Sequence, residues 1–201
     1  MRSAKAVSLS ARRSETQAAV AEASPQRAIP AGILAPFQRV LLATDGTVTD
    51  ILEAYLGEKL SVVKLLQRLE QSADGVADLQ AAPPVKILVR HVLLRGRRRL
   101  KNYVYAESIL VPHRLDRQLR TELFATDKPI GQLINEAQLE TRREILRSRI
   151  EPAGSVGAFF GVHRRAPMLS RTYRVFVAAR PIMLITEKFP RSLFNARPAV
   201  A

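Results

Sequence analysis

The sequence predicts an α+β fold built on an antiparallel β-sheet. Two pairs of strand-like segments each read as a hairpin, and segments with helical spacing separate them. The chain shows neither a repeating strand–helix–strand rhythm nor an internal repeat, so a parallel sheet is not expected.

The first ordered segments precede the hairpins. A helix is expected over 51–56, with Thr47 or Thr49 as its cap and Gly57 ending it in a left-handed conformation. Residues 60–69 are rich in Leu and Val and suit either a buried strand or a short helix, so both assignments stay open.

Two hairpins form the centre of the prediction. Val85–Arg95 and Tyr103–Val111 are strand-like runs joined by Gly96 and a basic cluster, which we interpret as a solvated hairpin tip. The cluster consists of Arg97, Arg98, Arg99 and Lys101. Thr172–Ala179 and Ile182–Phe189 form the second pair.

The patterns between the two hairpins mainly predict helices. Leucines spaced four apart from Leu115 to Leu123 mark an amphipathic helix, and a short helix is expected from Gln132. The highly charged segment Glu140–Arg149 is expected to be a helix with a solvated outer face. Residues 151–170, which contain Gly154, Gly157, Gly161 and Pro167, are expected to form a mobile loop.

Composition sets the domain boundaries and excludes several classes of protein. Residues 1–36 are expected to be a disordered basic tail, 37–192 one folded domain and 193–201 a second tail. The chain has no Cys and three scattered His, so thiol chemistry is excluded and a metal site is not expected. No apolar run is long enough to span a bilayer and no secretory signal is evident, which favours a cytoplasmic protein.

The net charge of +14 indicates an acidic partner, which could be a small anionic substrate, an anionic lipid or a nucleic acid. Most of the excess is Arg, which favours bidentate recognition of carboxylate or phosphate.

Five stretches, in their order and spacing, resemble the chorismate pyruvate-lyase (4-hydroxybenzoate synthase) family. They are LLATDGTVTDILEAYL (Leu41–Leu56), RHVLLRG (Arg90–Gly96), VYAESILVPHRL (Val104–Leu115), PIGQL (Pro129–Leu133) and RTYRVFVAARPIMLITEKFP (Arg171–Pro190). The resemblance implies helices that close over a buried ligand pocket on the antiparallel sheet. It also implies release of pyruvate from chorismate to leave 4-hydroxybenzoate, with no cofactor.

The resemblance carries over four site residues. It implies that Arg90 binds the substrate carboxylate, together with the backbone N–H groups of Val48 and Ile130. It also implies that Glu187 meets the ring hydroxyl. From the residues alone, Arg90 is either an edge residue facing water or a buried ligand clamp. Glu187 is either a structural partner of a strand arginine or a substrate ligand.

Further polar candidates are weaker. Arg171 and Arg174 lie three apart, so they face opposite sides of a strand. We predict that Arg174 binds the enolpyruvyl carboxylate. Glu107 is expected to be a structural partner of an arginine rather than a catalytic group.

Arg90 and Glu187 are the predicted catalytic residues of the lyase. Two other functions remain open. One is a non-catalytic, aromatic-acid-sensing domain of the same fold. The other is a basic nucleic-acid-binding protein, which the lack of a recognition-helix or aromatic signature disfavours, so no nucleic-acid partner is predicted. Pattern does not set the oligomeric state, and a monomer is the working expectation.

Overall fold

The computed structural model of the protein describes residues 29, 31–126 and 128–195. Within these ranges six strands form one sheet: β1 Leu60–Ser72, β2 Val85–Gly96, β3 Asn102–Leu110, β4 Arg142–Pro152, β5 Pro167–Val177 and β6 Arg180–Pro190. Their order is β1-β2-β3-β6-β5-β4, and each neighbouring pair is antiparallel. The α+β class and both hairpins are confirmed, and the open assignment over 60–69 resolves as strand.

In the described residues, four α-helices pack on one face of the sheet: α1 Pro36–Ala43, α2 Val48–Leu56, α3 Arg117–Ala125 and α4 Ile130–Glu136. The first two pack over one end, in a core cluster that contains Leu41, Leu52 and Phe189. The other two pack over the opposite end, in a cluster that contains Leu119 and Leu133. No helix in the described part of the chain is long and apolar enough to cross a membrane.

The end of α2 follows the prediction. Gly57 has φ +64°, the left-handed conformation in which glycine carries no Cβ penalty, and its N–H donates to the carbonyl of Glu53. Thr47 is the residue before the helix, but its side chain makes no capping hydrogen bond.

Helix α1 was not predicted. Pro36 occupies its first turn, where a missing N–H costs nothing, and the Gln38 side chain is fully buried. The Gln38 amide donates to the Arg191 carbonyl at 3.0 Å and to Asn195 Oδ1 at 2.7 Å. This helix therefore ties the two ends of the described chain together.

The prediction of a helix over Glu140–Arg149 is wrong, because this segment forms the edge strand β4. Its charged side chains pair across the sheet, Glu144 with Arg174 and Glu151 with Lys188. An edge strand can keep charged side chains on both faces near solvent. A run of charged residues is therefore as compatible with an edge strand as with an exposed helix.

Residues 151–170 are also more regular than expected. Strand β4 continues to Pro152, Gly154–Phe160 is a 3₁₀-helix and β5 already begins at Pro167. The domain boundaries stay predictions, since 1–28, 30 and 196–201 of the predicted tails lie outside the described residues. Within the described part, Leu34 and Phe194 belong to the core, so packing extends slightly beyond 37–192.

Candidate functional site

A cavity lies on the helical face of the sheet, where the N-termini of α2 and α4 meet the central strands. Its walls combine apolar strand side chains with a few polar groups. The lining residues are Thr47, Val48, Thr49, Val62, Arg90, Val92, Leu94, Ala106, Ser108, Pro129, Ile130, Gly131, Ile134, Arg143, Tyr173, Val175, Ile185 and Glu187.

Arg90 projects into this cavity from the middle of β2. Strand alternation places it on the same face as Leu88 and Val92, beneath the helices. The residue is only 2% exposed, and its Nη2 donates to the carbonyl of Lys128 at 3.1 Å. The interpretation of Arg90 as an edge residue facing water is therefore wrong. Its guanidinium is buried beside the start of α4.

Glu187 enters the cavity from β6 and is held by two neighbours on β5. Its Oε2 accepts a hydrogen bond from Arg171 Nε at 2.7 Å, and its Oε1 accepts one from the Tyr173 hydroxyl at 3.1 Å. Arg171 also donates to the carbonyl of Thr44 at 2.7 Å. The two arginine bonds fix the guanidinium, and the guanidinium and hydroxyl together fix the carboxylate.

The charges in this group act on one another because they are buried. Burial raises the pKa of Tyr173, and the nearby negative charge of Glu187 raises it further. For Arg171, which is 1% exposed, burial lowers the pKa, but the charge of Glu187 outweighs this and the net shift is upward. Tyr173 is thus a neutral donor and Arg171 a permanent cation.

The two helix N-termini lie against each other at the cavity. Val48 and Ile130 are the first residues of α2 and α4, positions whose N–H groups have no acceptor inside their own helix. A Cβ built on Gly131 would meet Thr47 Cγ2 at 2.8 Å. Glycine at this position therefore permits the close approach of the two helix starts.

The cavity takes Arg143, not Arg174, as its second lining arginine. Arg174 points to the opposite face of β5, where it pairs with Glu144 at 2.7 Å and donates to the Asp78 carbonyl. The prediction that only one of Arg171 and Arg174 faces the helices is confirmed, and that residue is Arg171. Arg174, which we predicted to bind the enolpyruvyl carboxylate, lies on the other face of the sheet. Arg143, on β4, lines the cavity and donates to the Asp45 carbonyl at 2.7 Å.

Glu107 also lies outside the cavity lining. It accepts a hydrogen bond from the Tyr105 hydroxyl at 2.9 Å, and this hydroxyl also contacts His91 Nδ1 at 3.2 Å. Burial lowers the pKa of His91. The partner of Glu107 is thus a tyrosine rather than the arginine that we expected.

The described lining residues give the cavity a definite chemical character. Two of them carry guanidinium groups, Arg90 and Arg143, and one carries a carboxylate, Glu187, whose charge Arg171 balances. Such a cavity suits a largely apolar ligand with two negative charges and a hydrogen-bonding group. Sequence reasoning missed Arg143 and Tyr173. Arg143 belongs to the segment predicted to be a helix, and the sequence around Tyr173 has the pattern of an ordinary strand.

Comparison with known proteins gives one family and one fold. The family described as "Chorismate pyruvate-lyase Rv2949c-like" matches residues 42–197. The chain is 31% identical to a chorismate pyruvate-lyase of Mycobacterium leprae over 163 residues, 80% of this chain and 77% of the relative. It is 28% identical to one of Mycobacterium tuberculosis over 167 residues, 80% and 82% of the two chains.

Among solved structures, the effector domain of PhnF from Mycobacterium smegmatis has the same fold. It superposes with a TM-score of 0.59 at 15% sequence identity, covering 74% of this chain and 91% of that domain. At this identity the likeness concerns the fold alone, and it agrees with the predicted antiparallel sheet flanked by helices.

Proposed function

Because the chain belongs to the Rv2949c-like chorismate pyruvate-lyase family, we propose that it releases pyruvate from chorismate and leaves 4-hydroxybenzoate, with no metal or organic cofactor. One observation carries this proposal: Arg90 and Glu187 are both buried, 2% and 7% exposed, and line one cavity with apolar walls. Burying opposite charges around an apolar pocket is costly for stability, which favours a role in binding a ligand.

The ring carboxylate would bind at Arg90. The guanidinium offers a planar pair of donors, and the N–H groups of Val48 and Ile130 add donors from two helix starts. The bond from Arg90 to the Lys128 carbonyl supports this arrangement, since it holds the guanidinium next to the start of α4.

The ring hydroxyl would bind at Glu187, at the other end of the ligand. Both carboxylate oxygens already accept one hydrogen bond, from Arg171 and Tyr173, and each has a further lone pair. The second substrate carboxylate, on the enolpyruvyl group, needs another cation. We assign this role to Arg143, since Arg174 points away from the cavity.

The reaction breaks the ether bond at C3 of the ring and the C4–H bond, and the ring becomes aromatic. Two routes are open. Glu187 could take the C4 proton as a general base, or the enolpyruvyl methylene could receive that hydrogen in a cyclic transition state, which turns the departing group directly into pyruvate. We favour the cyclic route. Protonating Glu187 would leave the buried Arg171 guanidinium opposite a neutral carboxyl.

The alternative function is an aromatic-acid sensor without catalytic activity. The fold shared with the effector domain of PhnF supports this alternative. A cytoplasmic location, a monomeric state and the lack of a nucleic-acid partner stay predictions.

The deciding experiment mixes purified protein with chorismate and follows pyruvate and 4-hydroxybenzoate together. Equimolar appearance of both supports the lyase. Saturable binding of chorismate or 4-hydroxybenzoate without pyruvate release supports the sensor, and binding of neither ligand would refute both proposals.

A further inference from the structure

Exposed cations cluster at one end of the sheet. The antiparallel register brings the β2–β3 hairpin tip to the same end as the β4–β5 connection. The connection contacts the hairpin directly, because Asn102 Nδ2 donates to the Phe159 carbonyl at 2.6 Å. We call this surface the basic end and define it by five exposed residues: Arg97, Arg98, Lys101, Arg164 and Arg165.

An exposed leucine stands at the apex of the hairpin. Leu100 is 71% exposed, the largest value among the exposed large apolar residues of the described chain. Its φ is +53°, a left-handed conformation that glycine or asparagine adopts far more easily than leucine. A large apolar side chain that is mostly exposed, on a backbone held in the left-handed region, adds little to the stability of the fold, so it points to a use outside the fold. Phe159, 40% exposed, adds apolar surface at the same end.

The hairpin tip is held rigidly by a buried carboxylate. Glu58 Oε2 accepts hydrogen bonds from the N–H groups of Arg98 at 3.0 Å and Arg99 at 3.1 Å. Its Oε1 accepts from Arg99 Nη1 at 2.9 Å and from the Tyr103 hydroxyl at 3.1 Å. Gly96 is packed against this carboxylate, since a Cβ there would lie 2.7 Å from a carboxylate oxygen. The tip is therefore ordered before any partner arrives, which lowers the entropy cost of binding.

We propose that the basic end docks on the surface of an anionic lipid bilayer, with Leu100 entering the headgroup–acyl boundary and the surrounding cations meeting lipid phosphates. An exposed apolar residue flanked in the same turn by exposed Arg and Lys is an arrangement that such a surface binds. A nucleic acid would use the cations, but it would leave an aliphatic apex in water, and single strands bind through aromatic stacking instead.

The test is flotation of the full-length protein with lipid vesicles. One set contains phosphatidylcholine and phosphatidylglycerol in equal parts, and the other contains phosphatidylcholine alone. The protein should float with the anionic vesicles and not with the neutral ones, and added salt should weaken binding. Leu100→Asn should weaken it by about tenfold while melting temperature stays the same or rises, since asparagine accepts the left-handed conformation. The matched control Leu69→Gln, at an apolar residue 59% exposed on β1, should float like the wild type.

A second variant tests the charges. Arg97→Gln combined with Lys101→Gln should weaken anionic-vesicle binding by about thirtyfold, from about 1 kcal/mol for each cation. Absence of flotation with anionic vesicles would refute the proposal. Binding that the charge variant weakens and Leu100→Asn does not would refute insertion of the apex. Binding of duplex DNA that the charge variant abolishes, without any flotation, would assign the basic end to nucleic acid instead.

Discussion

Replacing Gly131 with alanine tests whether the contact between the two helix starts shapes the ligand site. The added Cβ would lie 2.8 Å from Thr47 Cγ2, whereas carbon atoms in contact sit about 3.7 Å apart. Relieving the overlap requires a movement of about 0.9 Å, and we expect it to separate Val48 from Ile130. A misplacement of about 1 Å in a site costs about 100-fold in rate, so chorismate turnover should fall by that factor.

The fold should survive this substitution. Gly131 lies within helix α4 and has no left-handed φ, so alanine is compatible with the backbone and improves helix propensity by up to about 1 kcal/mol. Melting temperature should therefore change little while kcat/KM for pyruvate release falls.

A second substitution provides the control. Thr47→Ser removes only Cγ2, the atom in conflict, and the next Thr47 atoms lie 3.7 and 3.9 Å from the added Cβ. The double variant should therefore recover most of the lost activity, while Thr47→Ser alone should stay close to wild type. Full activity in Gly131→Ala, or no recovery in the double variant, would show that the contact between the two helix starts does not shape the ligand site.

Three further predictions concern charged residues. Glu187→Gln leaves buried Arg171 without its anion, so the free energy of unfolding should fall by about 3–5 kcal/mol and melting temperature by about 10 °C. Turnover should stay measurable, and its complete loss with binding intact would instead make Glu187 the base. Arg143→Gln should raise KM for chorismate about tenfold, whereas Arg174→Gln should leave the kinetics unchanged; equal effects would contradict the assignment of Arg143. Burial raises the pKa of Glu58, but hydrogen bonds from backbone N–H groups outweigh burial, so the net shift of this pKa is downward. The ionised Glu58 carboxylate therefore stabilises the fold above the pKa of the unfolded chain, and this contribution is lost as pH falls through the pKa of the folded state. Denaturant midpoints of wild type should therefore drop more on acidification below about pH 4 than those of Glu58→Gln, and parallel curves would contradict this.

The sheet was predictable where sequence pattern and tertiary environment agree. The runs Val85–Arg95 and Ile182–Phe189 are β-branched or Leu-rich because both strands lie in the middle of the sheet. Strand β4 was not predictable in this way, since an edge strand keeps polar side chains on both faces and shows no alternation. Helix α1 could not be predicted because its stabilising contacts join residues far apart in the sequence. Gln38 bonds to Arg191 and Asn195.

The candidate site was predictable in part. Arg90 and Glu187 each interrupt an apolar strand, and such a break gives a local signal for a buried polar group. Choosing between Arg171 and Arg174 required knowledge of which face the helices cover, and spacing alone does not contain it. Arg143 depended on the assignment of β4. The contact of Gly131 with Thr47 joins the starts of two helices that lie far apart in the sequence, and it leaves no pattern in the sequence.

The role of Arg90 in binding chorismate is tested most directly by comparing Arg90→Gln with Arg95→Gln in the chorismate assay. Both arginines lie on β2, but only Arg90 lines the cavity, while Arg95 bonds to Asn102. We predict that wild type and Arg95→Gln release pyruvate and 4-hydroxybenzoate in equal amounts, and that Arg90→Gln loses both products and chorismate binding while staying folded. Undiminished product release by folded Arg90→Gln would contradict the proposed site, and no product from wild type would contradict the proposed lyase activity.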